Sequence, residues 1–432
     1  MKVKSLICVF LTFLLVACGG NYTNAPLPIT MSPNIVKSPI FYKNSIERAF
    51  FVPTNDNKVD VLIDKDQIFS EMKRMLASAK SSIQIDIFLF GGKIGKEIVD
   101  SLLTKHRNNV KIQILLDPHL GVAGTLKKEE KELIKFLMNN GIPVKTFDLD
   151  LLPDNSGILT NYAQIDHNKL LLVDRESFLI GGMNWSDVAT MNRDIMLKIT
   201  GSAARQLGDI MDEDWGTGNK LTIKAQGENV PVIVPVAAGT STVRLTQTGI
   251  YEKTIKKMIL ENIKNAKTSV YVGMYEFSDV DIVEALIAAH KRGLDVKVIL
   301  SRNDKYKKYI PFFGGLIHGT PNLATARRLL DAQVPARWFD PDTDDQEHHA
   351  KYSVVDHTIS MVGSVNYTYN AFNIFRESCA EVTDPMVAAK IESDMFMRDW
   401  TQKTSKVQPL TWTERRIADF VDYMERSHHA WW

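Results

Sequence analysis

The chain has 432 residues, 44% of them hydrophobic and 24% charged, with a formal net charge of +1 at pH 7. That length exceeds one ordinary core and points to two domains of roughly 150 to 200 residues each. The balance excludes a disordered or membrane-filling composition, and the near-neutral charge counts against a non-specific nucleic-acid binder, which carries a positive footprint.

In chain order, Lys2 and Lys4 precede an apolar run from Leu6 to Val16, the pattern of a secretion signal. The run is shorter than the roughly 20 residues that span a bilayer. Its end, Leu15-Val16-Ala17-Cys18, resembles the bacterial lipobox, which implies cleavage before Cys18, lipidation of that cysteine and a place in the cell envelope. Gly19 stands where an aspartate favours inner-membrane retention, so the resemblance leans to the outer membrane. Cleavage removes Cys8 and two lysines, lowering the charge by two, and leaves Cys379 as a lone thiol among small neighbours, read as a buried hydrophobe. Residues 18–50, rich in Asn, Pro and Ser, read as a tether.

Beyond the tether the chain repeats itself once. In the first copy, placed at 51–224, Ile83, Ile85, Ile87 and Leu89 alternate as on a strand, Ile94, Ile98 and Leu102 follow at helical spacing, and Val110 to Leu116 is a nearly continuous apolar strand. The second copy, placed at 243–408 after a linker at 225–242, answers with Val270, Val272 and Met274, then Ile282, Leu286 and Ala289, then Val296 to Leu300. Strand, helix and strand with apolar runs predict an α/β fold whose sheet is covered on both faces. The tail, 409–432, places Ile417, Phe420, Val421 and Met424 at helical spacing before Trp431-Trp432 and reads as a helix packed on the body.

The copies converge on His167-Asn168-Lys169, with Asp174, and on His349-Ala350-Lys351, with Asp356, each an HxKxxxxD pattern. A glycine-led turn follows in each, ending at Asn184 and Asn366, and the offset between copies stays at 182. On a strand, residues i and i+2 share a face, so each histidine points with its lysine. Asp174 and Asp356 stand seven residues on, an odd offset that turns them to the other face and suits an architectural role. A lone histidine on a strand is more often structural, but two in one repeated pattern are not explained that way.

These residues resemble the phospholipase D superfamily, marked by two HxKxxxxD motifs with GSxN turns. The resemblance covers most of the mature chain. It implies two tandem α/β/α domains, each a mixed, mostly parallel sheet flanked by helices, packed as a pseudo-two-fold pair. It also implies a phosphodiesterase in which one histidine forms a phosphohistidine and the other protonates the leaving alkoxide. By analogy His167 is taken as nucleophile and His349 as acid. Lys169, Lys351, Asn184 and Asn366 would meet the phosphoryl charge, so neither metal nor cofactor is called for. Asp194 and Glu377, 27 and 28 residues after the histidines, are the carboxylates expected to orient each imidazole and raise its pKa; the alternative makes them salt-bridge partners of Arg193 and Arg376. Two departures stand out: the first turn reads Gly181-Gly182-Met183-Asn184, without the serine hydroxyl, and its carboxylate is an aspartate.

His348, His428 and His429 lack the spacing of a metal site and read as solvent-facing. The segment from Tyr309 to Pro321 has no counterpart in the first copy and either borders a cleft, touches lipid or is an ordinary loop. The leading expectation is cleavage or exchange of phospholipid head groups at a membrane surface. The alternatives are a metal-independent nuclease, a phosphatidyltransferase like cardiolipin synthase, and a silent binding protein. Two half-sites in one chain make a monomer sufficient.

Overall fold

The computed structural model describes residues 52–118, 124–148, 164–217, 219–220, 238–249, 253–302 and 319–427. The signal peptide, Cys18, the tether, most of the 225–242 linker and of the 309–321 segment, His428, His429 and the final tryptophans lie outside them.

The first half contributes β1 (Thr54–Ile63), β2 (Ser82–Ile87), β3 (Lys111–Leu116), β4 (Val144–Thr146), β5 (Lys169–Val173), β6 (Ser177–Gly181), β7 (Ile195–Thr200) and β8 (Asn219–Lys220). The second contributes β9 (Ser241–Thr248), β10 (Ser269–Met274), β11 (Asp295–Leu300), β12 (Ala336–Phe339), β13 (Lys351–Val355), β14 (Ile359–Gly363), β15 (Glu377–Thr383) and β16 (Thr404–Lys406). They form one 16-stranded sheet, ordered β16-β12-β11-β10-β13-β14-β15-β9-β1-β7-β6-β5-β2-β3-β4-β8. Read outward from the β9–β1 seam, both halves follow the same strand sequence, which is the pseudo-two-fold relation expected of the repeat.

The sheet is mixed and flanked by helices, but the expectation of mostly parallel pairing is corrected. Among the named strands, parallel pairing is confined to β2-β3-β4 and β10-β11-β12. The strand that starts at each motif lysine forms a hairpin with the next strand and runs antiparallel to its other neighbour as well. Tight hairpins can only join antiparallel strands.

Alternation explains the layering. Ile83, Ile85, Ile87, Leu171 and Val173 enter an outer core with Ile98, Val99 and Leu102 of the helix Gly92–Arg107. Leu170 and Leu172 point the other way, into a central core shared with Tyr352, Val354, Ile391 and Phe396 of the second half. A third core, built on Val270, Val272 and Leu286, mirrors the first. Strand β5 is therefore apolar on both faces because a core lies on each, and truncating Leu172 to Ala would cost about 2–5 kcal/mol.

Two buried ion pairs cross between the halves. Arg193 Nε holds Asp399 at 2.9 Å and Arg376 Nη2 holds Asp214 at 2.9 Å; within the first half Arg193 Nη1 also holds Asp64 at 2.6 Å. Removing one partner from such a pair costs about 3–5 kcal/mol, because the other charge stays buried. The helix Trp412–Arg426 opens with a capping box from Thr411 and Glu414, buries Ala418 and Val421, and binds Arg328 Nε through Asp422 at 3.0 Å. Among the described residues no helix is long and apolar enough to cross a membrane.

Candidate active site

His167 and His349 lie two residues ahead of Lys169 and Lys351, which open β5 and β13. Short parallel bridges hold both segments across the two halves. The His167 N–H donates to the Arg376 carbonyl and the Arg376 N–H to that of Ile165, each at 2.9 Å. The His349 N–H likewise donates to Arg193, and the Arg193 N–H to Glu347, each at 2.9 Å.

This backbone register sets each imidazole beside the carboxylate that follows the opposite arginine. His167 Nδ1 lies 2.9 Å from Glu377 Oε1, and His349 Nδ1 lies 2.8 Å from Asp194 Oδ2. The expected orienting acids are present, but each serves the histidine of the other copy. The alternative pairing is also corrected, since Arg193 and Arg376 bind Asp399, Asp64 and Asp214 instead. With Nδ1–H donated to a carboxylate, Nε2 is the nitrogen left for chemistry.

The acids are themselves fixed in different ways. Ser364 Oγ donates to Glu377 Oε2, whereas Asp194 Oδ1 accepts the Ile195 N–H at 2.8 Å. A Cβ at position 182 would stand 2.4 Å from Asp194 Oδ1 and 3.2 Å from the His349 carbonyl. Both departures from the family pattern are thus one exchange: the aspartate oxygen fills the space a serine would need, and a backbone N–H replaces the hydroxyl. Burial pushes Asp194 up to about 6, against the opposing charge of Lys351.

Both lysines are buried. Lys169 Nζ donates to the His167 carbonyl at 2.6 Å, and Lys351 Nζ makes the same bond to His349. Each ammonium faces an aromatic ring, Phe88 at 5.0 Å and Tyr275 at 4.8 Å, and the same rings flank the imidazoles at 4.9 and 4.6 Å. Burial lowers Lys169 to about 7 and Lys351 to about 8, although Glu377 and Asp194 respectively pull the other way. Desolvation also lowers His167 to about 4 and outweighs the Glu377 charge, which corrects the expectation that its carboxylate would raise it. Lys351 acts on His167, and Asp194 on Lys169, so the half-sites share one electrostatic field. The imidazole side chains keep 9% and 8% exposure, so both are buried with only a narrow edge at the surface.

Asn184 and Asn366 are both buried but are not equivalent. Asn366 Nδ2 donates to Glu276 Oε2 at 2.9 Å; the corresponding residue in the first copy is Leu89. Asp174 and Asp356 stand apart from the site, at the far ends of β5 and β13. Asp174 collects the N–H groups of Lys80, Ser81 and Ser82 at 2.7–2.9 Å, and Asp356 those of Lys267, Thr268 and Ser269 at 2.7–3.1 Å. Despite partial burial, these donors hold both carboxyls below their usual range, and both residues sit at positive φ, 54° and 53°. Their work is to clamp the turns.

His348 is wholly buried beside Phe339 and Tyr352, not solvent-facing, and burial lowers it to about 3. Cys379 is buried, with its thiol pushed well up by desolvation, as its small neighbours predict. Sequence reasoning missed Phe88, Tyr275, Glu276 and Glu347. The aromatic pair had a signal: Phe88-Leu89-Phe90 and Tyr275-Glu276-Phe277 occupy the same place after matching strands.

Two braced imidazoles with two buried lysines, brought together by pseudosymmetric halves, define the phospholipase D-like class of phosphodiester hydrolases and transferases. The family model described as cardiolipin synthase, PLD-like domain, matches residues 72–215 and 259–400, and the chain belongs to that family. It is 22% identical over 398 residues to the probable cardiolipin synthase YwiE of Bacillus subtilis, covering 88% of this chain and 73% of that protein. It is 27% identical over 351 residues to the major cardiolipin synthase ClsA of the same organism, covering 79% and 68%. The solved phosphatidylserine synthase of Haemophilus influenzae shares the fold, with a TM-score of 0.67 at 14% identity over 89% of this chain and 97% of that one.

Proposed function

We propose that this protein is a phosphatidyltransferase that exchanges phospholipid head groups through a phosphohistidine, with an alcohol rather than water as the usual acceptor. The sequence reading led with cleavage or exchange and held a cardiolipin synthase-like transferase as an alternative; the cardiolipin synthase relatives favour that alternative. The observation that carries the mechanism is the crossed bracing of the imidazoles, Glu377 on His167 and Asp194 on His349.

In this reading neutral His167 attacks phosphorus through Nε2, the P–O bond to the head group breaks, and His349 gives its proton to the departing alkoxide. His349 then takes the proton of the incoming alcohol, whose oxygen displaces His167 and restores the enzyme. Desolvation of His167 supports the nucleophile assignment, because an imidazole held to about 4 is unprotonated at neutral pH. Lys169 and Lys351 neutralise the phosphoryl oxygens, and the amides of Asn184 and Asn366 supply further donors. The lipid anchor at Cys18 belongs to the same proposal, since it would keep the enzyme at its substrate.

The test is to incubate the purified protein with labelled phospholipid and an alcohol acceptor, in chelator, and quench for a covalent phosphoenzyme. Head-group exchange with an acid-labile phosphoenzyme is expected. Cleavage of DNA in place of phospholipid, or dependence on added metal, would reject the reading.

A further inference from the structure

The pseudosymmetry of the site breaks in charge at its His349 end. Glu276 stands where the first copy has Leu89, and Glu347 where it has Ile165. Glu347, His349 and Lys351 alternate along one segment, so they share a face. The Tyr275 hydroxyl lies 3.5 Å from Glu347 Oε1, and Glu276 holds Asn366 at 2.9 Å. Both glutamates act on Lys351, together with Asp194 and Glu377. Glu347 is buried, while Glu276 is half-buried.

A phosphodiester is an anion, and carboxylates beside it are repulsive unless they face a different part of the substrate. At the His167 end the residues matching Glu276 and Glu347 are apolar, and the carboxylates acting on Lys169 are Glu377 first, then Asp194 and Asp166, against four acting on Lys351. The phosphoryl oxygens are therefore better placed towards Lys169, and the extra carboxylates mark the side where the alcohol portion lies. That is also the side of the imidazole that protonates the leaving group. Resting on the transferase reading, we infer that Glu276, backed by Glu347, is a specificity-determining residue that accepts hydrogen bonds from a head group bearing hydroxyl or ammonium hydrogens.

The inference is tested with the full chain in mixed micelles of phosphatidylethanolamine, phosphatidylglycerol or phosphatidylethanol, the last having no donor on its head group. The wild type should prefer the first two in kcat/KM. Glu276→Leu, which installs the first copy's residue, should reduce that preference about tenfold, the scale of one charge-assisted hydrogen bond. A larger fall with phosphatidylethanolamine identifies the ammonium as the group read, and a larger fall with phosphatidylglycerol identifies the hydroxyls. Glu276→Gln keeps the shape and carries the same test, with a smaller expected fall, if the leucine variant does not fold. If all three lipids lose activity in proportion, or the wild type shows no preference, Glu276 only holds Asn366 and the inference is overturned. A wild type inactive on every lipid instead overturns the transferase reading beneath it.

Discussion

In the first half Asp194 is pinned by a backbone N–H and leaves no room for a side chain at position 182; in the second, Glu377 is longer and takes the hydroxyl of Ser364. Both arrangements deliver a carboxylate oxygen within 2.8–2.9 Å of an imidazole Nδ1. The bracing thus tolerates an exchange of acid and donor, because only the position of the accepting oxygen matters to the ring. The substrate side follows another rule. There Leu89 and Ile165 are matched by Glu276 and Glu347, which gives the two ends different charge and the site a direction.

The comparison is broken most severely at the histidines. His167→Ala and His349→Ala should each lower kcat by about a thousandfold or more while leaving the circular dichroism unchanged. With a p-nitrophenyl donor, whose leaving group needs no proton, the His349 variant should still form the covalent phosphoenzyme and the His167 variant should not. The opposite result would exchange the two roles. Titration asks the same question without mutation, because kcat/KM reports the free enzyme. His167, held to about 4, loses its attacking lone pair only below that pH. Lys169 and Lys351, lowered to about 7 and about 8, lose their charge as pH rises. Asp194, pushed up to about 6, braces His349 as a carboxylate only above that pH. The profile should therefore climb to a maximum near about 6 to 7, then fall about tenfold per unit between the two lysines and more steeply above both; no fall up to about pH 9 would mean that the lysines keep their charge.

Gly182→Ser should reduce kcat about tenfold by pushing Asp194 away from His349, in line with the sensitivity of catalysis to small displacements. Adding Asp194→Glu should recover part of the loss, since the pair then copies the second half; no recovery would mean that the two braces are not interchangeable. The smallest effect on turnover is expected at Asp174→Asn, which weakens the clamp on residues 80–82. It should lower stability by about 1–3 kcal/mol in denaturant titration with kcat within about twofold.

The motifs and most of the layering were legible in the sequence, because a two-residue period and a constant offset survive without knowledge of packing. Ile83, Ile85 and Ile87 face one core as their alternation requires, and His167 stands with Lys169 as i and i+2 predict. The crossing of Asp194 and Glu377 was not legible. Their offsets from the histidines measure distance along the chain, whereas the bridges at Arg193 and Arg376 arise from packing of one half on the other. The same limit hid His348: its ring follows Phe339 and Tyr352 into the protein, a direction set by the central core. Glu276 was missed because a single acid in a turn after a strand looks like ordinary surface until Asn366 is seen to bind it.

The seam between β1 and β9 has a consequence for how damage spreads. Since each ring's tautomer is decided by an oxygen supplied from across that seam, injury at 194 is felt at 349, and injury at 377 at 167. Halves produced as separate polypeptides should be inert alone and should recover both histidines together on reassociation. A map of compensating substitutions would run between the repeats, linking residues remote in sequence, and not within either one.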